Sequence, residues 1–308
     1  MPLSPAASAP SLAAAPRSAR ARAAAVWALT KPRLALMSLL TTLVAYATAH
    51  PPAGRAGATL LGTALAAAGA LSLNQWWERR TDALMQRTRG RPLPLASLTP
   101  GEAFAWSILF SVTGTAVLAL GVNLAAAACA VATILLYGVV YTPLKRRTRW
   151  ATEIGSLSGA LPALLGNAAA GDLLARPGLA LTAILLLWQM PHFFAIGWRH
   201  RADYRAAGFP LLPAVDPTGA RTAAWSFGYA VALAIVSLVP CALGWFGLFY
   251  AVVTLAANAW FLRCAWRFLH EPDRDRGARS LFFASLVYLP LVMGALLAEQ
   301  LPVFASAS

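Results

Sequence analysis

Residues 124–143 read Leu-Ala-Ala-Ala-Ala-Cys-Ala-Val-Ala-Thr-Ile-Leu-Leu-Tyr-Gly-Val-Val-Tyr-Thr-Pro, a run without a single charge. A helix of roughly 20 apolar residues crosses the hydrocarbon core of a bilayer. Inside lipid no water pairs with open backbone groups, so such a run must be helical. Working outward, comparable stretches occur at 32–50, 58–77, 103–121, 154–170, 178–198, 223–243, 246–266 and 280–298. The expectation is an all-α, polytopic membrane protein, a bundle of nine transmembrane helices. Composition agrees: of 308 residues 59% are hydrophobic and 12% charged, too little charge to cover a soluble surface.

The net charge of +14 raises the question of nucleic acid. Its distribution argues for a membrane instead. If the N-terminus is cytoplasmic, all but two of the 25 Lys and Arg residues fall in inside segments; only Arg55 and Arg176 lie outside. That asymmetry follows the positive-inside rule. Trp77, Trp198 and Trp266 stand at span ends, where interfacial aromatics collect. No nucleic-acid partner is therefore expected, and membrane lipid is. The three cysteines, Cys129, Cys241 and Cys264, lie in spans without paired spacing and read as small buried hydrophobes. Residues 1–25, rich in Ala, Pro and Ser with arginines and no acid, read as a disordered tail of a bacterial protein. A mitochondrial transit peptide has a similar composition. Residues 26–300 form one membrane domain, and 301–308 a C-terminal tail.

The inside loops at 78–101, 144–153 and 199–222 are long and polar, and they hold most of the chemistry-bearing side chains. The loop at 267–279 reads as a solvated charged turn. At the end of the second span comes Asn74-Gln75-Trp76-Trp77-Glu78-Arg79-Arg80-Thr81-Asp82. Asn74, Glu78 and Asp82 follow at i, i+4 and i+8, so they fan over about 80° of one helix face in a ladder about 12 Å long. Three oxygen-bearing side chains on one stripe suit a hard cation such as Mg²⁺, or Mn²⁺, which takes one or two carboxylates and completes its shell with phosphate and water. A polar helix end held by i,i+4 contacts would look alike. Asn74 favours the site, because polar groups that deep in an apolar span are usually functional. Arg87 and Arg91 follow at once. Acids to hold a metal and arginines to neutralise phosphate are together what a metal diphosphate requires. Arg89 reads equally as an inside-positive charge.

At these residues the chain resembles a known family. The run Asn74-x3-Glu78-x3-Asp82-x4-Arg87-Thr88-x2-Arg91-Pro92-Leu93 is similar to the UbiA superfamily of intramembrane prenyltransferases, and its Arg-Thr-x-x-Arg-Pro-Leu form to the heme-farnesylating branch. Thr30-Lys31-Pro32-Arg33, Tyr141-Thr-Pro-Leu-Lys145-Arg146-Arg-Thr148 with Ile154 to Pro162 behind it, and Trp188-Gln-Met-Pro-His192-Phe193 with Tyr204 and Gly208 to Pro213 extend the likeness over about residues 28–300. The resemblance implies farnesyl diphosphate and heme b as substrates, heme O as product, and heme A synthase as a partner. It places the chain in a bacterial inner membrane. It also implies Asn74, Glu78 and Asp82 as catalytic metal ligands, Arg87, Arg91, Lys145 and Arg146 as the diphosphate clamp, and His192, Tyr141 and Tyr204 on the heme side. Two departures stand out. Glu78 occupies a position where the family usually has Asp, and it reaches one methylene further. Quinone-forming relatives carry a second acidic cluster near the sixth span, where this chain offers only His192, Asp203 and few others.

Read from the residues alone, His192 is either a neutral imidazole bonded to a neighbouring helix or an axial ligand to heme iron. Gly155 and Gly159 read as a small-x3-small packing face, and Pro162 as a kink. Trp76, Tyr141 and Phe193 can offer π faces to an allylic cation. Two other functions remain open at this point. One is a quinone-type polyprenyltransferase acting on a phenolic acid. The other is a transporter of an anionic lipid or organic phosphate, which would show inverted repeats and broken helices at the bilayer midplane.

Overall fold

A computed structural model describes residues 18–300 and is helical throughout its regular structure. Ser18 caps α1 (Ala19–Leu29), which meets α2 (Pro32–Thr48) at a 50° bend. The long α3 (Ala56–Asp82) and α4 (Pro100–Gly121) follow, the latter opened by a reciprocal Thr99–Glu102 capping box with Pro100 in the first turn. Next, α5 (Leu124–Ile134) runs through a π-helical stretch, Leu135–Tyr141, into the short α6 (Thr142–Leu144). Pro143 explains the widening: its ring would clash with the carbonyl one turn back in a regular α-helix. After α7 (Ala151–Ala170) and α8 (Arg176–Arg199) come two short helices, α9 (Arg201–Ala206) and α10 (Leu212–Val215). The chain closes with α11 (Ala220–Ala242), α12 (Leu248–His270) and α13 (Arg274–Ala298).

Among the described residues seven helices are long and apolar enough to cross a membrane, or eight if the bent pair α1 and α2 is one span. The protein is an integral membrane protein, but the expected nine spans are corrected in two places. Alone, α2 has only 17 residues; it reaches through Thr30 and Lys31 into α1. The fifth expected span, α7, carries Glu153, Ser156, Ser158 and Asn167 and falls short in apolarity. It packs against α2, α5 and α8 and buries most of its length, so protein rather than lipid covers its polar groups. The tail expected over 1–25 gives way to helix at Ala19, while residues 1–17 and 301–308 lie outside the described residues.

Two packed halves share this bundle. In the first, α3 and α4 approach at backbone distance: a Cβ added to Gly114 would stand 2.4 Å from the Ala66 nitrogen. Small residues permit that approach, as is usual between membrane helices. In the second half α8, α11, α12 and α13 enclose Leu181, Ile184, Tyr250, Phe261, Phe268 and Tyr288. Contacts of α7 with α8, and of α2 with both α8 and α13, join the halves. A separate apolar cluster of Met85, Ala151, Tyr204, Phe209, Leu211 and Ala214 ties the loop after α3 to the loop after α8, over the end of the bundle where α3, α6 and α8 finish.

Candidate active site

The last turns of α3 carry the site. Asn74, Glu78 and Asp82 are buried, at 2%, 6% and 0% exposure, and each is engaged by a cation. Lys31 Nζ donates to Asn74 Oδ1, Lys145 Nζ lies 3.1 Å from Glu78 Oε1, and Arg91 Nη1 sits 2.8 and 2.7 Å from the two Asp82 oxygens. The stripe expected from the i, i+4, i+8 spacing is thus matched by three basic side chains from three different segments. Buried charges persist only when paired in this way. Thr142 Oγ1 accepts from Asn74 Nδ2 at 3.0 Å and fixes the amide, so that its oxygen faces Lys31.

Each cation is placed by local backbone structure. Lys31 holds a left-handed φ of 48° at the α1–α2 elbow, and this turns its side chain toward α3. Gln75 pins the elbow by donating to the carbonyls of Ala28 and Leu29 at 3.1 and 2.8 Å. The π-helical stretch ends at Tyr141 and carries Thr142 and Lys145 toward the stripe. Lys145 lies 5.8, 5.7 and 5.1 Å from the rings of Tyr141, Tyr204 and Phe209. Burial, the largest single influence, pushes its ammonium down, but the Glu78 carboxylate together with the Tyr141, Tyr204 and Tyr137 hydroxyls holds it above the ordinary lysine range.

Arg87 and Tyr204 meet across two loops. The guanidinium donates to Tyr204 Oη at 2.7 Å and stacks 4.7 Å from the ring centre. Asp203, one residue earlier, accepts from the backbone N–H groups of Gln86 and Arg87 at 3.3 and 3.4 Å. The structure therefore brings Arg87, Arg91, Lys145, Tyr141 and Tyr204 around the Asn74–Glu78–Asp82 stripe. It leaves Arg146 out: that side chain is exposed and makes no hydrogen bond or ion pair among the described residues. His192 is also apart from this cluster. Its Nδ1 lies 2.7 Å from Ser285 Oγ on α13, and its ring stacks between Trp188 and Phe282.

Three contributors escaped the sequence reading. Lys31 and Thr142 were visible only as parts of motifs, and Gln75 only as a neighbour of Asn74. The signal for Lys31 was a cation directly before Pro32, at the break ahead of an apolar run. Gly155 and Gly159 do something other than seat a helix. A Cβ on Gly155 would stand 2.7 Å from the Tyr141 ring, and one on Gly159 2.0 Å from Gln189 Oε1, so each makes room for a side chain. Pro162 lies buried in α7, and Thr42 Oγ1 donates to its carbonyl at 3.0 Å.

Two carboxylates and an amide oxygen fall short of a complete cage, and among the described residues no group of three or more His, Cys, Asp or Glu could hold a metal unaided. The set suits an ion that arrives with phosphate oxygens. The UbiA prenyltransferase family model matches residues 35–287. The chain belongs to this family. It is 43% identical to the protoheme IX farnesyltransferase of Opitutus terrae over 89% of this chain and 93% of that one. It is 42% identical to the protoheme IX farnesyltransferase of Solibacter usitatus, over 88% and 97%. The fold is similar to that of a digeranylgeranylglyceryl phosphate synthase at 16% identity, with a TM-score of 0.76 over 90% of this chain and 98% of the other. It is similar also to a UbiA homolog from Archaeoglobus fulgidus bound to GPP and Mg²⁺, at 16% identity and a TM-score of 0.64, over 88% and 99%.

Proposed function

We propose that this chain transfers the farnesyl group of farnesyl diphosphate to the vinyl group of protoheme IX (heme b), giving heme O. The observation that carries the reading is the buried stripe of Asn74, Glu78 and Asp82 with one cation on each member. Its relatives named protoheme IX farnesyltransferase, at 40% identity and above, support the acceptor.

A divalent ion, Mg²⁺ or Mn²⁺, held by Asn74, Glu78 and Asp82 would neutralise the oxygens of the departing diphosphate. Around it the chain's own cations change partners. Arg91 and Lys145, which face carboxylates in this structure, turn to the phosphate oxygens, and Arg87 at the Tyr204 edge closes over them. That exchange keeps every buried charge compensated before and after binding. As the C1–O bond breaks, the rings of Tyr141, Tyr204 and Phe209, which already surround an ammonium, face the allylic cation. The heme vinyl carbon attacks it, and water captures the new cation as a hydroxyl, giving up a proton that the departed diphosphate can take.

His192 is the proposed heme ligand. The Ser285 hydroxyl donates its only proton to the Phe282 carbonyl, so it accepts from His192 Nδ1–H. This fixes the tautomer with its lone pair on Nε2, the arrangement of metal-binding imidazoles. We place the protein in a bacterial inner membrane with the N-terminus and the stripe on the cytoplasmic side, the prenyl tail among lipid-facing helices, and heme A synthase as the consumer of the product.

The deciding experiment supplies purified protein with farnesyl diphosphate, heme and 4-hydroxybenzoate in one vessel and measures product masses. Hydroxyethylfarnesyl heme alone is expected. Prenylated hydroxybenzoate beside untouched heme overturns the acceptor and leaves prenyl transfer standing. His192→Ala should impair heme use more than farnesyl diphosphate binding, with the heme absorption spectrum as a second readout.

A further inference from the structure

The α1–α2 elbow sends one residue inward and its neighbours outward. Lys31 reaches Asn74, whereas Thr30, Pro32 and Arg33 line a groove bounded by α1, α2, α3 and α4. The groove encloses about 1050 Å³, at the upper end of the roughly 300–1,000 Å³ of small-molecule sites. Its walls are apolar, with Val26, Leu36, Ala64, Leu65, Ala68 and Phe110 among them, and no acid lines it. Two cations do. Arg22 is paired with Glu102. Arg33 is exposed and makes no ion pair or hydrogen bond among the described residues. Trp27 and Trp106, also lining it, stay 67% and 36% exposed. Exposed tryptophans beside an arginine are the pattern of a membrane–water boundary.

We propose that this groove binds an anionic glycerophospholipid, with an acyl chain along the apolar walls and the phosphate on Arg33. An apolar channel whose one unneutralised charge is positive complements a lipid of that kind. A zwitterionic lipid also offers Arg33 a phosphate, but its own ammonium cancels that charge, so it supplies no net countercharge. A prenyl diphosphate fits poorly, because it carries more charge than one guanidinium balances, and the groove has neither carboxylate nor amide to hold a metal. The groove is also separate from the stripe: Gln75 ties the elbow's carbonyls to α3 between them. Lipid seated here would brace the elbow that aims Lys31.

The test uses full-length protein, delipidated in detergent and titrated with palmitoyl-oleoyl phosphatidylglycerol or the matching phosphatidylcholine, with bound lipid counted by native mass spectrometry. One juxtamembrane basic residue gives a preference of about fivefold for the anionic lipid. Wild type should show it, Arg33→Gln should lose it, and Arg147→Gln, an exposed arginine away from the groove, should keep it. Ala64→Phe, which fills the groove, should lower retention of both lipids. Equal retention of the two lipids by wild type overturns the proposal, and so does a preference that survives Arg33→Gln. Displacement of phosphatidylglycerol by farnesyl diphosphate also overturns it, since the groove would then be a prenyl site.

Discussion

Replacing Lys145 by Met isolates the energetics of the buried stripe. The Lys145 and Glu78 side chains are 11% and 7% exposed and 3.1 Å apart, so neither is well hydrated. Removing the ammonium leaves a carboxylate in the bundle without its closest partner. Breaking a buried pair from one side costs about 3–5 kcal/mol, most of it the penalty on the charge left behind. Lys31 and Arg91 also act on Glu78, which moves the expectation to the lower end, about 3 kcal/mol. The companion variant Glu78→Gln/Lys145→Met removes both charges and should cost about 1 kcal/mol or less. Denaturant unfolding of wild type, Lys145→Met, Glu78→Gln and the double variant in one detergent, followed by circular dichroism, gives the four corners of a double-mutant cycle. Lys145→Met should be clearly less stable than the double, which stays near wild type. Both should be inactive with farnesyl diphosphate, for different reasons: one lacks the clamp, the other also lacks the carboxylate. A double variant no more stable than Lys145→Met, or Lys145→Met as stable as wild type, would refute the claim that this pair is desolvated.

Asn74→Ala, Glu78→Ala and Asp82→Ala should each abolish turnover of a folded protein, and Glu78→Asp should retain it; full activity in excess EDTA would exclude a metal-bridged diphosphate. Arg91→Lys loses one of the contacts to Asp82, and Arg87→Lys loses the planar fork over Tyr204, so both should weaken farnesyl diphosphate use at least tenfold. Arg89→Lys and Arg146→Lys, both exposed, should change it little; equal effects at all four would mean that bulk charge alone matters. Gly114→Leu should force α3 and α4 apart and cost about 3 kcal/mol or more, seen as a lowered unfolding midpoint; an unchanged midpoint would contradict the close approach.

The family and the stripe were legible because both are local. Side chains four residues apart on a helix share a face whatever surrounds them, so Asn74, Glu78 and Asp82 could be grouped from spacing alone. The span count was less legible. Hydropathy treats each helix as if lipid covered it, and this fails for α7, which protein covers, and for α2, which borrows length across an elbow. Lys31 was hidden for a related reason: what brings it to Asn74 is a single left-handed residue between two helices, and nothing in residue type announces that conformation at a lysine. The likeness of Gly155 and Gly159 to a helix-packing face likewise came from spacing, while the space they leave is taken up by Tyr141 and Gln189.

The sequence by itself determined the solvent, the helical class and the acidic stripe. Those follow from the lengths of apolar runs and from helical periodicity, properties that a segment carries alone. Tertiary structure decided which cation meets which oxygen. Lys31, Arg91 and Lys145 are 43, 9 and 67 residues from the partners they neutralise, and many basic residues in this chain could have claimed those places. The choice falls to backbone geometry at three points, the elbow at Lys31, the π-helical stretch before Lys145 and the turn after Asp82. A buried charge tolerates only a partner within a few ångströms, and that proximity is set by how helices pack rather than by their order in the chain.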